Sequence, residues 1–173
     1  MPFPRLAIAA AALILAGCAY IAPIQPASTF YVMRHLNTPE GQRDPDLTPE
    51  GRRNADLLAN WFMQAPPTTI FVSNTKRAQQ TAAPLAARLG ITPIVYDPSD
   101  TRTLMTEVMK EPPPVLIVGH SNTVPDIVAA LGGVRPDPLV HEDFADIWAI
   151  SNGRTTRYTI EGGQMASAGR RLR

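Results

Sequence analysis

The chain has 173 residues, a length that suits one domain. Its hydrophobic fraction of 45% is that of an ordinary globular protein. The formal net charge of +1 leaves no field to draw it to a polyanion, which excludes a nucleic-acid binder.

The start of the chain has its own character. Arg5 is the only charged residue before Arg34, and an apolar run from Leu6 to Ala16 follows it. That run is shorter than the ~20 residues a membrane span needs, and it has the layout of an export signal. Leu15-Ala16-Gly17-Cys18 resembles a bacterial lipoprotein box. The resemblance implies a signal peptide over residues 1–17, cleavage before Cys18 and lipid on Cys18. Cys18 is the single cysteine, so it has no disulfide partner within the chain. Ala19 after it differs from the Asp that holds some lipoproteins at the inner membrane. The expectation is a periplasmic-side anchor, with the outer membrane preferred. Residues 18–28 contain Pro23 and Pro26 and read as a tether.

From Thr29 onward, apolar runs alternate with helical patterns. Thr29 to His35 reads as a short buried strand, followed by a loop from Leu36 to Leu47. Thr48 caps a helix with Pro49 at its first position, and Pro66-Pro67 ends it. Ala55, Leu58, Ala59 and Phe62 share one face of that helix. Thr68 to Ser73 is a second strand, and a helix runs from Thr75 to Leu89, stopped by Gly90. Thr92 to Asp97 is a third strand, followed by a helix from Thr101 to Lys110. Val115 to Gly119 is the fourth and most apolar strand, and a helix from Pro125 to Leu131 follows it. Ala145–Ile150 and Thr155–Ile160 flank Asn152-Gly153, a strong hairpin signal. The alternation predicts an α/β fold: a mainly parallel sheet with helices on both faces, closed by a C-terminal β-hairpin. The domain is expected over residues 29–163, and residues 164–173 read as a disordered tail. Trp61 and Trp148 are expected in the core.

In such a sheet, ligands bind beyond the carboxyl ends of the strands. The first strand ends in Arg34-His35. The second runs into Ser73-Asn74, with Arg77 one turn into the next helix. The fourth ends in Gly119-His120-Ser121-Asn122. Two imidazoles and two guanidiniums can therefore gather at one sheet edge. A neutral imidazole is a good nucleophile towards phosphorus, and guanidinium forks match phosphate oxygens. The helix starts near Ser73-Asn74 and Asn122-Thr123 are expected to offer backbone N–H groups to an anion. The reading requires no metal or other cofactor, because these cationic groups can neutralise the phosphate themselves.

The motifs resemble those of the histidine phosphatase (phosphoglycerate mutase-like) superfamily. Tyr31-Val-Met-Arg-His35 is similar to its signature, and Leu47-Thr-Pro-Glu-Gly51 to its next turn. Ser73 to Ala82 is similar to the stretch carrying its second arginine, and Val118 to Thr123 to that of its second histidine. The resemblance implies that His35 is the nucleophile and that Arg34, Arg77 and His120 form the phosphate pocket. Asn37, Ser73 and Asn122 are the candidates for holding substrate. There are two departures: Leu36 stands where Gly or Ala is common, and the usual Glu proton donor has no clear counterpart. Asp97 and Asp100 are the nearest replacements, with Glu107 further along. Asp100 can equally cap a helix, and Asp97 can simply end a strand. Lys76 is expected to face solvent, and His141 to sit in a surface loop.

The expected activity is metal-independent hydrolysis of a small phosphomonoester through phosphohistidine at His35. Two alternatives stand beside it. One is a phosphohistidine protein phosphatase. The other is an exported lipoprotein that binds a phosphorylated ligand without turnover.

Overall fold

The sheet alternates its side chains between two cores, and helices cover both. A computed structural model describes residues 28–160 and the backbone of residues 161 and 164–172. In chain order the elements are β1 (Thr29–Arg34), α1 (Pro49–Phe62), β2 (Thr69–Ser73), α2 (Lys76–Leu89), β3 (Ile94–Tyr96) and α3 (Thr101–Val108). They continue with β4 (Val115–Gly119), α4 (Val124–Ala130), β5 (Asp146–Ser151), β6 (Arg154–Glu161) and β7 (Gln164–Leu172). The strand order is β3-β2-β4-β1-β5-β6-β7. The first four strands of that order pair in parallel, and the last three join antiparallel.

Period-2 alternation decides which face each residue enters. Tyr31 and Met33 pack with α1 and α2, beside Ile70, Leu116 and Ile147. Val32 points the other way and packs with α3 and α4, beside Phe71, Ile117 and Trp148. Trp148 is buried, and Trp61 lies against the first core, edge-on to Tyr31. The expected sheet, helices and hairpin are therefore present. Asn152 and Gly153 both take positive φ, as the hairpin turn requires.

The tail differs from the expectation. Gln164–Leu172 is not disordered but forms β7, paired antiparallel with β6. An antiparallel neighbour close in sequence supplies backbone partners that the small-residue sequence does not announce. The expected signal peptide and lipidated Cys18 lie outside the described residues, as does the tether apart from Ser28.

The Leu47-Thr-Pro-Glu-Gly51 turn shows how the sequence positions the site. Leu47 is buried, and Thr48 Oγ1 accepts from the Gly51 amide at 3.0 Å as the cap of α1. The Thr48 amide donates to Asn37 O at 2.9 Å, which ties the helix start to the chain just beyond β1. Gly51 is required by close approach: a Cβ there would lie 2.5 Å from Asn37 O. Because the obstacle is backbone, Gly51→Ala should cost ~1–2 kcal/mol of overpacking after the gain in helix propensity. The expected fall in Tm is about 2–8 °C. An unchanged melting curve would show that the helix start is free to move.

Candidate active site

Parallel pairing of β1 with β4 builds the site. Arg34 is in register with Gly119, and the His35 amide donates to Gly119 O at 2.9 Å. His35 and His120 therefore leave the sheet side by side, with ring centroids 5.3 Å apart. Both are buried at the floor of a cleft of about 460 Å³, also lined by Arg34, Arg77, Thr38 and Asn122.

Each imidazole has a defined tautomer. His35 Nδ1 lies 2.9 Å from Leu36 O, and a carbonyl can only accept. Nδ1 therefore carries the proton, and the Nε2 lone pair is left free. His120 Nδ1 faces Arg77 Nη2 at 3.4 Å, and a guanidinium can only donate. Its proton is therefore on Nε2, which donates to Ser73 Oγ at 2.8 Å. Ser73 then donates to Thr75 Oγ1 at 3.0 Å. Burial, more than any charge, pushes the pKa of His35 down to about 3; the bond to Leu36 O opposes the shift, and Arg34, His120 and Arg77 add to it. Burial followed by Arg77 and Arg34 brings His120 down to about 4. Both rings are neutral at physiological pH.

The arginines are held from outside the sheet. Arg34 Nη1 donates to Val140 O at 2.6 Å, His141 O at 3.1 Å and Asp143 O at 3.5 Å. Its guanidinium lies 4.2 Å over the Phe144 ring. Buried Arg34 Nε has no protein partner among the described residues. Arg77 Nη1 donates to Asp44 Oδ1 at 3.1 Å and to Arg43 O at 3.2 Å. Thr81, fully buried in α2, accepts from the Leu36 amide at 3.0 Å and donates to Arg77 O at 2.7 Å. That one hydroxyl couples the turn after His35 to the helix that carries Arg77.

Several expected residues stand elsewhere. Asn37 does not line the cleft: its Oδ1 accepts from Asn54 Nδ2 of α1 at 3.0 Å. Ser73 is fully buried beneath His120 and acts on the ring, not on the cleft. Neither aspartate lines the cleft. Asp97 accepts from Ser99 N and Oγ, and Asp100 caps α3 by accepting from Thr103 N and Oγ1. Those bonds hold both carboxyls below their ordinary pKa, the wrong direction for a proton donor. Glu107 is paired with Lys110 on the outer end of α3.

Several backbone amides at the helix starts expected to bind an anion are also committed. Thr123 N and Val124 N donate to His120 O, Asn74 N to Tyr96 O, and Lys76 N to Asp44. Sequence reasoning missed Thr38, Thr75, Ser99, Ser121 and His141, all of which line the cleft. Ser121 follows β4 directly and could have been read there. His141 reaches the cleft only through a long-range loop contact. Among the described residues, no cluster of three His, Cys, Asp or Glu is arranged to hold a metal ion.

Residues 30–99 match the family model of the histidine phosphatase superfamily (branch 1). Over that segment the chain is similar to histidine phosphatases. The matched segment carries Arg34, His35 and Arg77, while His120 lies beyond it. No curated protein matches the sequence. Among solved structures, the fold is shared with a mycobacterial hydrolase at TM-score 0.60 and 17% identity, covering 84% of this chain and 99% of that one. A mycobacterial glucosyl-3-phosphoglycerate phosphatase in complex with inorganic phosphate follows at TM-score 0.58 and 17% identity, covering 84% and 98%. The protein histidine phosphatase SixA complexed with tungstate matches at TM-score 0.53 and 22% identity, covering 80% and 93%.

The neutral imidazoles give the protein an acid liability. Their folded pKa values lie below the unfolded value of about 6.5, so the unfolded chain takes up protons first as pH falls. The stability they contribute is complete above about pH 6.5 and is lost as pH drops towards 4. Between pH 6.5 and 5, where carboxylates titrate little, Tm should fall less steeply in a His35→Gln, His120→Gln double variant than in the wild type. Equal slopes would place the acid sensitivity outside the site.

Proposed function

We propose that the protein hydrolyses phosphomonoesters in two steps through a phosphohistidine on His35 Nε2, without needing a metal ion. The Nδ1–H bond to Leu36 O is the observation that carries this reading. It fixes the tautomer and leaves a buried, neutral Nε2 lone pair facing the cleft. In the first step Nε2 attacks phosphorus, the P–O ester bond breaks, and the alcohol leaves. Arg34, Arg77 and His120 surround the cleft floor, where negative charge builds on the equatorial oxygens. In the second step water attacks phosphorus and the P–N bond breaks.

A phosphohistidine on another protein is the second reading. No carboxylate lines the cleft among the described residues, and an imidazole leaves phosphorus with little acid assistance. The likeness to SixA belongs to this reading, although it shows only a shared fold. For the N-terminal segment, the box ending in Cys18 supports export and a lipid anchor on the periplasmic side.

With an aryl phosphate in excess EDTA, turnover should persist in the wild type and drop at least ~10³-fold in His35→Ala. Rapid quench should trap an acid-labile, base-stable phosphoenzyme. Loss of activity in EDTA, or full activity in the variant, would overturn the mechanism. A faster rate on a phosphohistidine peptide than on any phosphate ester would favour the second reading. Mass spectrometry of the membrane fraction should find acylated Cys18 at the mature N-terminus; an unmodified Cys18 would remove the anchor.

A further inference from the structure

Ester hydrolysis at the cleft floor needs a proton for the leaving oxygen, and His35, His120, Arg34 and Arg77 do not supply it. The two floor imidazoles are neutral, and the His120 proton is directed at Ser73, away from the cleft. Arginine does not release a proton in proteins. Asp97 and Asp100 stand outside the cleft. Asp44 does not line it either and is bound to Arg77 and the Lys76 amide. The other polar side chains on the wall are hydroxyls and amides, which are poor acids.

One lining residue differs. His141 belongs to the loop between α4 and β5, more than a hundred residues from the nucleophile, and it is partly exposed where His35 is buried. Its place is fixed. Arg34 Nη1 holds the carbonyls of Val140 and His141, and the Val140 amide donates to Asp143 Oδ2 at 2.8 Å, closing the turn. The His141 ring meets Phe144 edge-on at 5.2 Å, and Phe144 in turn lies 5.8 Å from the His35 ring. In-line attack from a buried His35 sends the leaving oxygen towards the open side of the cleft, where His141 stands. Imidazole is also the side chain best suited to exchanging a proton near neutral pH.

We infer that His141 is the general acid for the leaving group, which makes this an enzyme for alkyl as well as aryl phosphates. The inference rests on the proposed ester hydrolysis. In the first step the ester bond breaks with its electron pair on oxygen, and the His141 imidazolium protonates that oxygen, releasing alcohol. Neutral His141 then takes a proton from the attacking water as its oxygen bonds phosphorus and the P–N pair returns to His35 Nε2. The charged and titratable groups around His141 are Arg34, Glu142 and Asp143 on one side, and His35, His120 and Arg77 across the cleft.

The test compares full-length wild type, His141→Ala and His141→Gln on p-nitrophenyl phosphate and on a simple alkyl phosphate. A nitrophenolate leaves without protonation, whereas an alkoxide does not. In both variants the aryl-to-alkyl ratio of kcat should rise ~10²- to 10³-fold, and added imidazole should restore part of the alkyl rate to His141→Ala. A ratio unchanged from wild type, whether both rates fall together or neither falls, would overturn the assignment. Aryl turnover that still depends on His35 would leave the underlying phosphatase reading standing in that case. No aryl turnover in the wild type would overturn both.

Discussion

The site depends on one backbone register: β1 and β4 side by side and parallel, with Arg34 opposite Gly119. Parallel neighbours end at the same edge of the sheet, so the residues that follow them must emerge together. The intervening β2 and β3 are built elsewhere on the sheet, which leaves the β1–β4 seam as the place where two chain ends can open into a cleft. A shift of one residue in either strand would exchange the two cores and turn one imidazole away from the other. The apolar alternation of Val115–Val118 against Phe30–Met33 therefore holds the chemistry in place as well as the core.

Around that seam, small polar residues fix what the strands deliver. Thr123 Oγ1 accepts from the His120 amide, and a side chain at Gly119 would come within 2.9 Å of that same hydroxyl. Ser73 accepts from His120 Nε2–H, and Thr81 bridges the Leu36 amide to α2. None of these hydroxyls needs to meet substrate. Each removes a freedom that the imidazoles or Arg77 would otherwise have, and most of them lie in the core where geometry is stiffest.

The sheet, its helices and the four residues Arg34, His35, Arg77 and His120 were legible because each follows from a local rule. Apolar runs gave the strands, caps and prolines gave the helices, and the ends of the strands gave the chemistry. What was not legible depended on where a side chain turns or on contacts distant in sequence. Asn37 and Ser73 follow strands just as His35 does, yet one bonds Asn54 and the other lies beneath His120. Asp97 and Asp100 sit at the right place in sequence, but local turn and cap bonds claim both carboxylates. His141 carries no local signal, since only the hold of Arg34 on its loop brings it to the cleft. Strand β7 was hidden for the same reason, because its partner lies in β6 and its own composition is plain.

Among the described residues no carboxylate lines the cleft, and its electrostatics follow from that. Two arginines and two buried imidazoles face one space, and the main-chain amides of Asn74, Lys76, Thr123 and Val124 are already bonded within the protein. Burial first, and the guanidiniums after it, depress both imidazole pKa values, which keeps the nucleophile uncharged and available. A phosphate dianion in the cleft reverses the sign of that field: it satisfies the guanidiniums and favours protonation of His120. The same cluster is therefore suited to a neutral nucleophile when empty and to added positive charge when phosphate is present. A carboxylate on the wall would oppose both, by raising the imidazole pKa values and by repelling phosphate, whereas an imidazole at the mouth can exchange a proton without a fixed negative charge.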